Sequence, residues 1–233
     1  IQRPIVSLSA TNWKESPSTT KPQQSFVSIN DDEKGLTLIN QGLPEYEAIH
    51  TEKGSSILLS LLRCVGWLSR DDLLTRKGRA GPRLYPHLAT PDAQCLGRHE
   101  FKYSLVIHEG DWTQNKVWQD AYNHNTPLIV TPTSQHKGSF PPEFSFLKIK
   151  PESLIISAIK RRELSQSLIL RIYNPESKKT EVEVHSHKKI LNASIVNLNE
   201  KESKDSEKNI DILEHRILFK LNRSQIITLR IDF

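Results

Sequence analysis

The chain has 233 residues, a net charge of +5 and a mean hydropathy of −0.50, with 36% hydrophobic and 25% charged side chains. Its length points to one large domain or two modest ones with enough apolar material for a core. No stretch approaches the roughly 20 apolar residues that span a bilayer, and IQRPIVSLSA lacks the basic-then-apolar order of a signal peptide, so neither a membrane protein nor an unprocessed secreted precursor is expected.

Short apolar or alternating runs bounded by turn residues predict strands over Ser25–Asn30, Leu36–Asn40, Tyr46–Thr51 and Ser56–Leu62. Asp31, Asp32 and Gly35 mark the first hairpin, and Gly42 with Pro44 marks the next turn. A long loop is expected from Arg70 to Gly97, where three prolines, three glycines and eight Lys, Arg, Asp or Glu side chains leave no room for a periodic element. A strand resumes over Phe101–Glu109, with Phe101, Tyr103, Leu105 and Ile107 on one face and Lys102, Ser104 and His108 on the other. One helix is expected, Asp111 to Asn123, with Val117, Trp118, Ala121 and Tyr122 as its packed stripe and Asp111 as N-cap.

A boundary is expected near Gly138–Pro151, giving domains of residues 1–150 and 151–233. Beyond it the spacing predicts strands over Leu154–Arg161, Leu168–Tyr173, Thr180–His185, Ile190–Asn197, Ile210–His215, Ile217–Leu221 and Ile226–Phe233, the pattern of a small antiparallel sandwich. The charged run Glu200–Lys208 reads as a solvated hairpin loop. The fold class is therefore all-β, with one short helix.

Chemistry is sparse. There is no HExxH, GxSxG, Gly-rich phosphate loop or CxxC pair. His185 and His187 would project from one strand face and could share a metal, but no Cys, Asp or Glu stands at ligand spacing, so an exposed strand followed by lysines is the simpler reading. The sequons at Asn192 and Asn222 are short enough to arise by chance. Arg76, Lys77, Arg79 and Arg83 form a basic segment with carboxylates close by and no aromatic stacking platform, so no nucleic-acid partner is expected. Cys64 and Cys95 are too few for a disulfide framework; Cys64, between Leu62 and Val65, is expected to pack as a small hydrophobe, both thiols to stay reduced, and the location to be cytoplasmic. The absence of any Met points to an excised or processed piece of something longer.

The segment from Ser69 to Pro82 is more informative. It joins an apolar strand end to a loop carrying Arg70, Asp71, Asp72 and Arg79. Carboxylates accept hydrogen bonds from sugar hydroxyls, guanidiniums donate them, and a tryptophan such as Trp67 stacks on a pyranose face. An ion-paired loop without a ligand explains the same composition.

Several segments in order, LINQGLPEYEA (38–48), LSLLRCVGWLSRDDLLTRKGRAGP (59–82), ATPDAQCLGRHEFKYSLVIHEG (89–110) and NHNTPLIV (123–130), resemble the C-terminal half of glycoside hydrolase family 38, the α-mannosidases, in its bacterial and archaeal branch. LIISAIKRRE, LILRIYNP and QIITLRIDF look like the terminal β-sandwich of those enzymes. The resemblance implies a partial, galactose-mutarotase-like supersandwich followed by an immunoglobulin-like small sandwich. It also implies a retaining enzyme of mannose metabolism whose nucleophile, general acid and zinc ligands lie in an N-terminal α/β domain not present here. Asp71 and Asp72 do not take those catalytic roles, so no catalytic residue and no metal ligand is assigned to this chain.

The same resemblance makes Arg70, Asp71, Asp72 and Arg79 candidates for contacts to a mannose-containing oligosaccharide or glycoside, with Asn40, Glu45 and Tyr46 next. The expected partners are that sugar and the N-terminal catalytic domain. Two other readings stand beside this one. The first is a freestanding carbohydrate-binding or structural module. The second is a mutarotase-type isomerase, which His108 and Glu109 disfavour by pointing to opposite faces of one strand.

Overall fold

A computed structural model describes residues 3–5, 17–31, 33–69, 72, 88–163, 165–202 and 210–233. The chain forms two compact units, Ile1–Ile129 and Val130–Phe233. Among the described residues all strand pairs are antiparallel, in keeping with the all-β expectation.

The first unit runs β1 (Lys21–Pro22), β2 (Phe26–Asn30), β3 (Lys34–Asn40), β4 (Glu45–Thr51), β5 (Gly54–Leu59), β6 (Trp67–Ser69), β7 (Leu88–Ala89), a 3-10 turn (Pro91–Gln94), β8 (Tyr103–Glu109) and α1 (Val117–Asn125). Its strands order as β1-β4-β5, β2-β3-β8 and β6-β7. The β2–β3 hairpin closes because the Asp31 carboxylate accepts the backbone N–H groups of Glu33 (2.8 Å) and Lys34 (2.7 Å), so a side chain does the work of a turn.

Helix α1 is shorter than expected and starts six residues later. The Asp111 carboxylate is taken by the preceding turn, accepting from Thr113 N–H (2.7 Å), Thr113 Oγ1 (2.6 Å) and Gln114 N–H (2.9 Å). Lys116, at φ 51°, then breaks the helical path before Val117. Within the helix only Val117 and Ala121 of the expected stripe are buried, while Trp118 and Tyr122 meet edge to face at 5.9 Å.

Strand β8 has the expected two faces. Ser104, Val106 and His108 turn inward, while Tyr103, Leu105 and Ile107 are 55%, 61% and 84% exposed. Their cross-strand partners Asn40, Leu38 and Leu36 continue that face onto β3, where Leu38 is buried. Cys64, expected in an apolar strand, lies between β5 and β6 and is exposed, as is Cys95; both are free thiols.

The second unit contains β9 (Leu147–Lys150), β10 (Ile155–Arg161), β11 (Leu168–Tyr173), β12 (Thr180–Ser186), β13 (Asn192–Val196), β14 (Asp211–Leu213), β15 (Arg216–Leu221) and β16 (Ile226–Asp232). The sheets β10-β11-β16-β13 and β14-β15-β12-β9 share one core of Leu170, Ile172, Val182, Val184, Ile217, Phe219, Leu229 and Ile231 with their neighbours. Alternation explains it: on β12, Val182 and Val184 point inward and Glu181, Glu183 and His185 outward. β9 pairs with β12 (Leu147↔Ser186 to Lys150↔Glu183), so these four residues, assigned by the sequence boundary to the first domain, form part of the second unit's sheet.

Candidate functional site

The candidates divide by where they lie. Arg70, Asp71 and Arg79 are outside the described residues. Asp72 is described and exposed. Asn40, Glu45 and Tyr46 flank the turn between β3 and β4, so adjacency in sequence brings these three together.

Asn40 is fully buried. Its Oδ1 accepts the Leu43 N–H (2.8 Å), and its backbone carbonyl accepts from Asn125 Nδ2 of α1 (3.1 Å). Gly42, at φ 76°, allows the turn that Asn40 braces. Glu45 uses both carboxylate oxygens: Oε1 accepts from Ser60 Oγ (2.8 Å) and Oε2 pairs with Arg63 Nη1 (3.1 Å). Tyr46 is half-buried and stands across from Leu59.

Ser60 and Arg63 are participants the sequence reading passed over. The register Tyr46↔Leu59 puts the residues after β5 beside Glu45. An Arg within LSLLRC, eighteen positions after Glu45, was the only available signal.

A second polar cluster was also missed. His108 Nε2 lies 3.0 Å from Thr37 Oγ1 and 3.3 Å from Ser28 Oγ, Thr37 Oγ1 donates to Ser28 Oγ (2.8 Å), and His108 Nδ1 lies 3.1 Å from the Gly110 carbonyl. With Thr37 buried and each group partnered, this is a satisfied internal network. Glu109 is exposed on the other side of the strand, so His108 and Glu109 do not converge as an isomerase acid–base pair would require.

His185 and His187 have separate neighbours. His185 Nε2 lies 2.7 Å from Glu183 Oε1, which also pairs with Arg216 Nη1 at 3.3 Å. The Glu183 carboxyl feels an upward push from burial, but hydrogen bonding and charge from Arg216 and His185 hold it below the ordinary value. His187 lies beyond the end of β12 against Phe144 and Phe140, at ring separations of 4.8 and 5.7 Å. Among the described residues no three His, Cys, Asp or Glu side chains are grouped to hold a metal. Among the described residues no helix is long and apolar enough to cross a membrane.

Residues 153–229, inside the second unit, match the family model described as the glycosyl hydrolases family 38 C-terminal beta sandwich domain. An α-mannosidase from Enterococcus faecalis V583 superimposes on 96% of the chain with a TM-score of 0.70 and 27% identity. The chain resembles the C-terminal region of glycoside hydrolase family 38. Among curated proteins, one named "putative mannosylglycerate hydrolase" from Halalkalibacterium halodurans is 31% identical over 70% of the chain. Alpha-mannosidase 2C1 of Mus musculus is 24% identical over 88%. The chain spans only 16–17% of the length of those two proteins and 22% of the Enterococcus chain.

Proposed function

We propose that this chain is the non-catalytic C-terminal portion of a retaining α-mannosidase acting on terminal α-mannosides, and that it completes and supports an active site built by an N-terminal α/β domain. The observation that carries the reading is the likeness of nearly the whole chain to about a fifth of an α-mannosidase. The surface of the first unit supports it. β8 hydrogen-bonds to β3 alone among the described strands and exposes Tyr103, Leu105 and Ile107 on an apolar face that a finished sandwich would cover.

In this reading, retention relies on two carboxyl groups about 5–5.5 Å apart supplied by the N-terminal domain, which is also where zinc would be held. This chain contributes contacts to the sugar. Asp71 and Asp72 accept from hydroxyls while Arg70 and Arg79 donate, and Asn40, Glu45 and Tyr46 shape the neighbouring turn. The Glu45 carboxylate, held by Ser60 and Arg63, retains lone pairs for a further donor.

The test is an assay of the purified 233-residue chain on an aryl α-mannoside with added zinc, together with calorimetric titration of the same chain with methyl α-mannoside. No turnover and no measurable binding are expected. Zinc-dependent hydrolysis would overturn the non-catalytic assignment, and tight sugar binding by the isolated chain would replace it with a freestanding binding module.

A further inference from the structure

The segments on either side of the 70–87 stretch are stitched together at their base. Val65 N–H donates to the Ala93 carbonyl (3.3 Å) and Thr90 N–H to the Gly66 carbonyl (3.0 Å). The Val65 carbonyl accepts from both Thr90 Oγ1 (3.0 Å) and Gln94 Nε2 (2.8 Å). β6 and β7 pair just beyond, at Trp67↔Ala89. One residue before Val65 and one after Gln94 stand Cys64 and Cys95. Both are exposed free thiols, and Cys95 lies near enough to Cys64 to raise its pKa. Cys95 sits at φ 51°, with its Sγ 3.7 Å from the Ala93 carbonyl.

We propose that Cys64 and Cys95 form a reversible disulfide site, oxidised by a low-molecular-weight disulfide of the glutathione class and closing residues 64–95 into a covalent ring. One cysteine thiolate attacks a sulfur of the small disulfide, forming a mixed disulfide and releasing one small thiolate. The second protein thiolate then attacks the protein-side sulfur of that mixed disulfide and expels the other small thiolate. Two protein thiols are oxidised to one disulfide, one small disulfide is reduced to two thiols, and two protons pass to the released thiolates. The backbone ladder between 65–66 and 90–94 already sets the two cysteines on bonded, neighbouring segments, so the second displacement requires no opening of the chain.

Access and acidity set the rate. Partial desolvation, then the hydrogen bond and charge of the neighbouring Cys95 thiol, raise the Cys64 pKa above its ordinary value. Little Cys64 thiolate is present near neutrality, so oxidation is slow there and speeds up as pH rises. Any effect of the ring on sugar contacts rests on the function proposed above, but the site itself does not.

The experiment incubates the purified chain with oxidised glutathione, traps free thiols with an alkylating reagent and digests with trypsin without reduction. The expected product is residues 64–70 disulfide-linked to residues 84–98, in monomeric protein, reverting to two free peptides with a dithiol reductant. Cys64→Ser and Cys95→Ser should each abolish the linked species and leave a mixed disulfide on the remaining cysteine. Closure should accelerate by about tenfold per pH unit below the thiol pKa. Persistent free thiols, separate glutathione adducts on both cysteines of the unsubstituted chain, or a link formed only between molecules would each overturn the proposal. None of these readouts depends on mannosidase activity, so failure here is distinct from failure of the functional reading.

Discussion

A β-carbon added at Gly35 would land on the imidazole of His108, its cross-strand neighbour in the β3–β8 pair. The missing side chain is thus the space in which the histidine lies while it reaches Thr37 and Ser28. Gly35→Ala should cost about 1–3 kcal/mol by overpacking, read by urea denaturation. In the background of His108→Ala the same change should cost less than it does alone, because the clash has been removed. Additive losses would show that the histidine is not what excludes a side chain at position 35.

Asp111 gives a pH dependence. Burial alone would raise its carboxyl pKa, but hydrogen bonds from Thr113 Oγ1 and the Gln114 and Thr113 N–H groups, with the charge of His108, hold it below the ordinary 3.8. A group depressed in the folded state stabilises above its unfolded pKa, and that contribution fades as pH falls through the lowered folded value. Asp111→Asn should therefore lose about 1–2 kcal/mol at neutral pH, and the gap to the parent chain should narrow below about pH 4. A pH-independent gap would show that the carboxylate charge contributes nothing.

The second unit was legible because both its sheets bury one face: the period-2 pattern of Thr180–Ser186 gives strand and inward side at once. β8 shows where this stops. Its period is right, yet which face is covered depends on what packs there, and Leu105 and Ile107 face outward. The helix start was misplaced because Asp111 suits a turn as well as an N-cap, and the choice lies with the positive φ at Lys116. Trp67–Ser69 and Leu88–Ala89 are too short to display a period. At the candidate site, Asn40 and Glu45 are named by the family resemblance of the turn they flank, but the Ser60 and Arg63 partners exist only through the β4–β5 register. Cys64 looked like core in a run of leucines, and pairing after β5 leaves it exposed.

Asn174 ties two turns of the sandwich. It is fully buried; its Nδ2 donates to the Lys178 carbonyl (2.8 Å), the Asn222 carbonyl (3.2 Å) and Thr180 Oγ1 (3.3 Å), and its Oδ1 accepts the Glu176 N–H (3.0 Å). Asn174→Asp keeps the shape, replaces a donor with an acceptor and brings a charge among three oxygens. A loss of about 2 kcal/mol or more is expected, measured by thermal unfolding; a loss below about 0.5 kcal/mol would be that of an ordinary surface position.

The exposed face of β8 tests the proposal that this chain packs within a larger enzyme. Ile107→Glu should leave the isolated 233-residue chain within about 0.5 kcal/mol of the parent, since the side chain is already in water. In the full-length enzyme, if this face is covered, the same change buries an unpaired carboxylate and should lower the unfolding temperature or the yield of soluble protein. Equal, small effects in both settings would mean that the face stays open.

Asp72 tests whether this chain reaches the sugar. If it accepts a hydroxyl of the substrate, Asp72→Ala in the full-length enzyme loses a charge-assisted hydrogen bond of about 1.5–3 kcal/mol, or roughly ten- to a hundredfold in kcat/KM. Stability should move by no more than about 0.5 kcal/mol, because the residue is exposed. Glu45→Ala is the comparison: it strips partners from Ser60 and Arg63, so it should destabilise by about 1 kcal/mol whatever its role in binding. Measuring kcat/KM beside thermal unfolding for both variants separates the roles. Normal kinetics for Asp72→Ala with a clear loss of stability would remove Asp72 from the sugar pocket and leave it a structural residue.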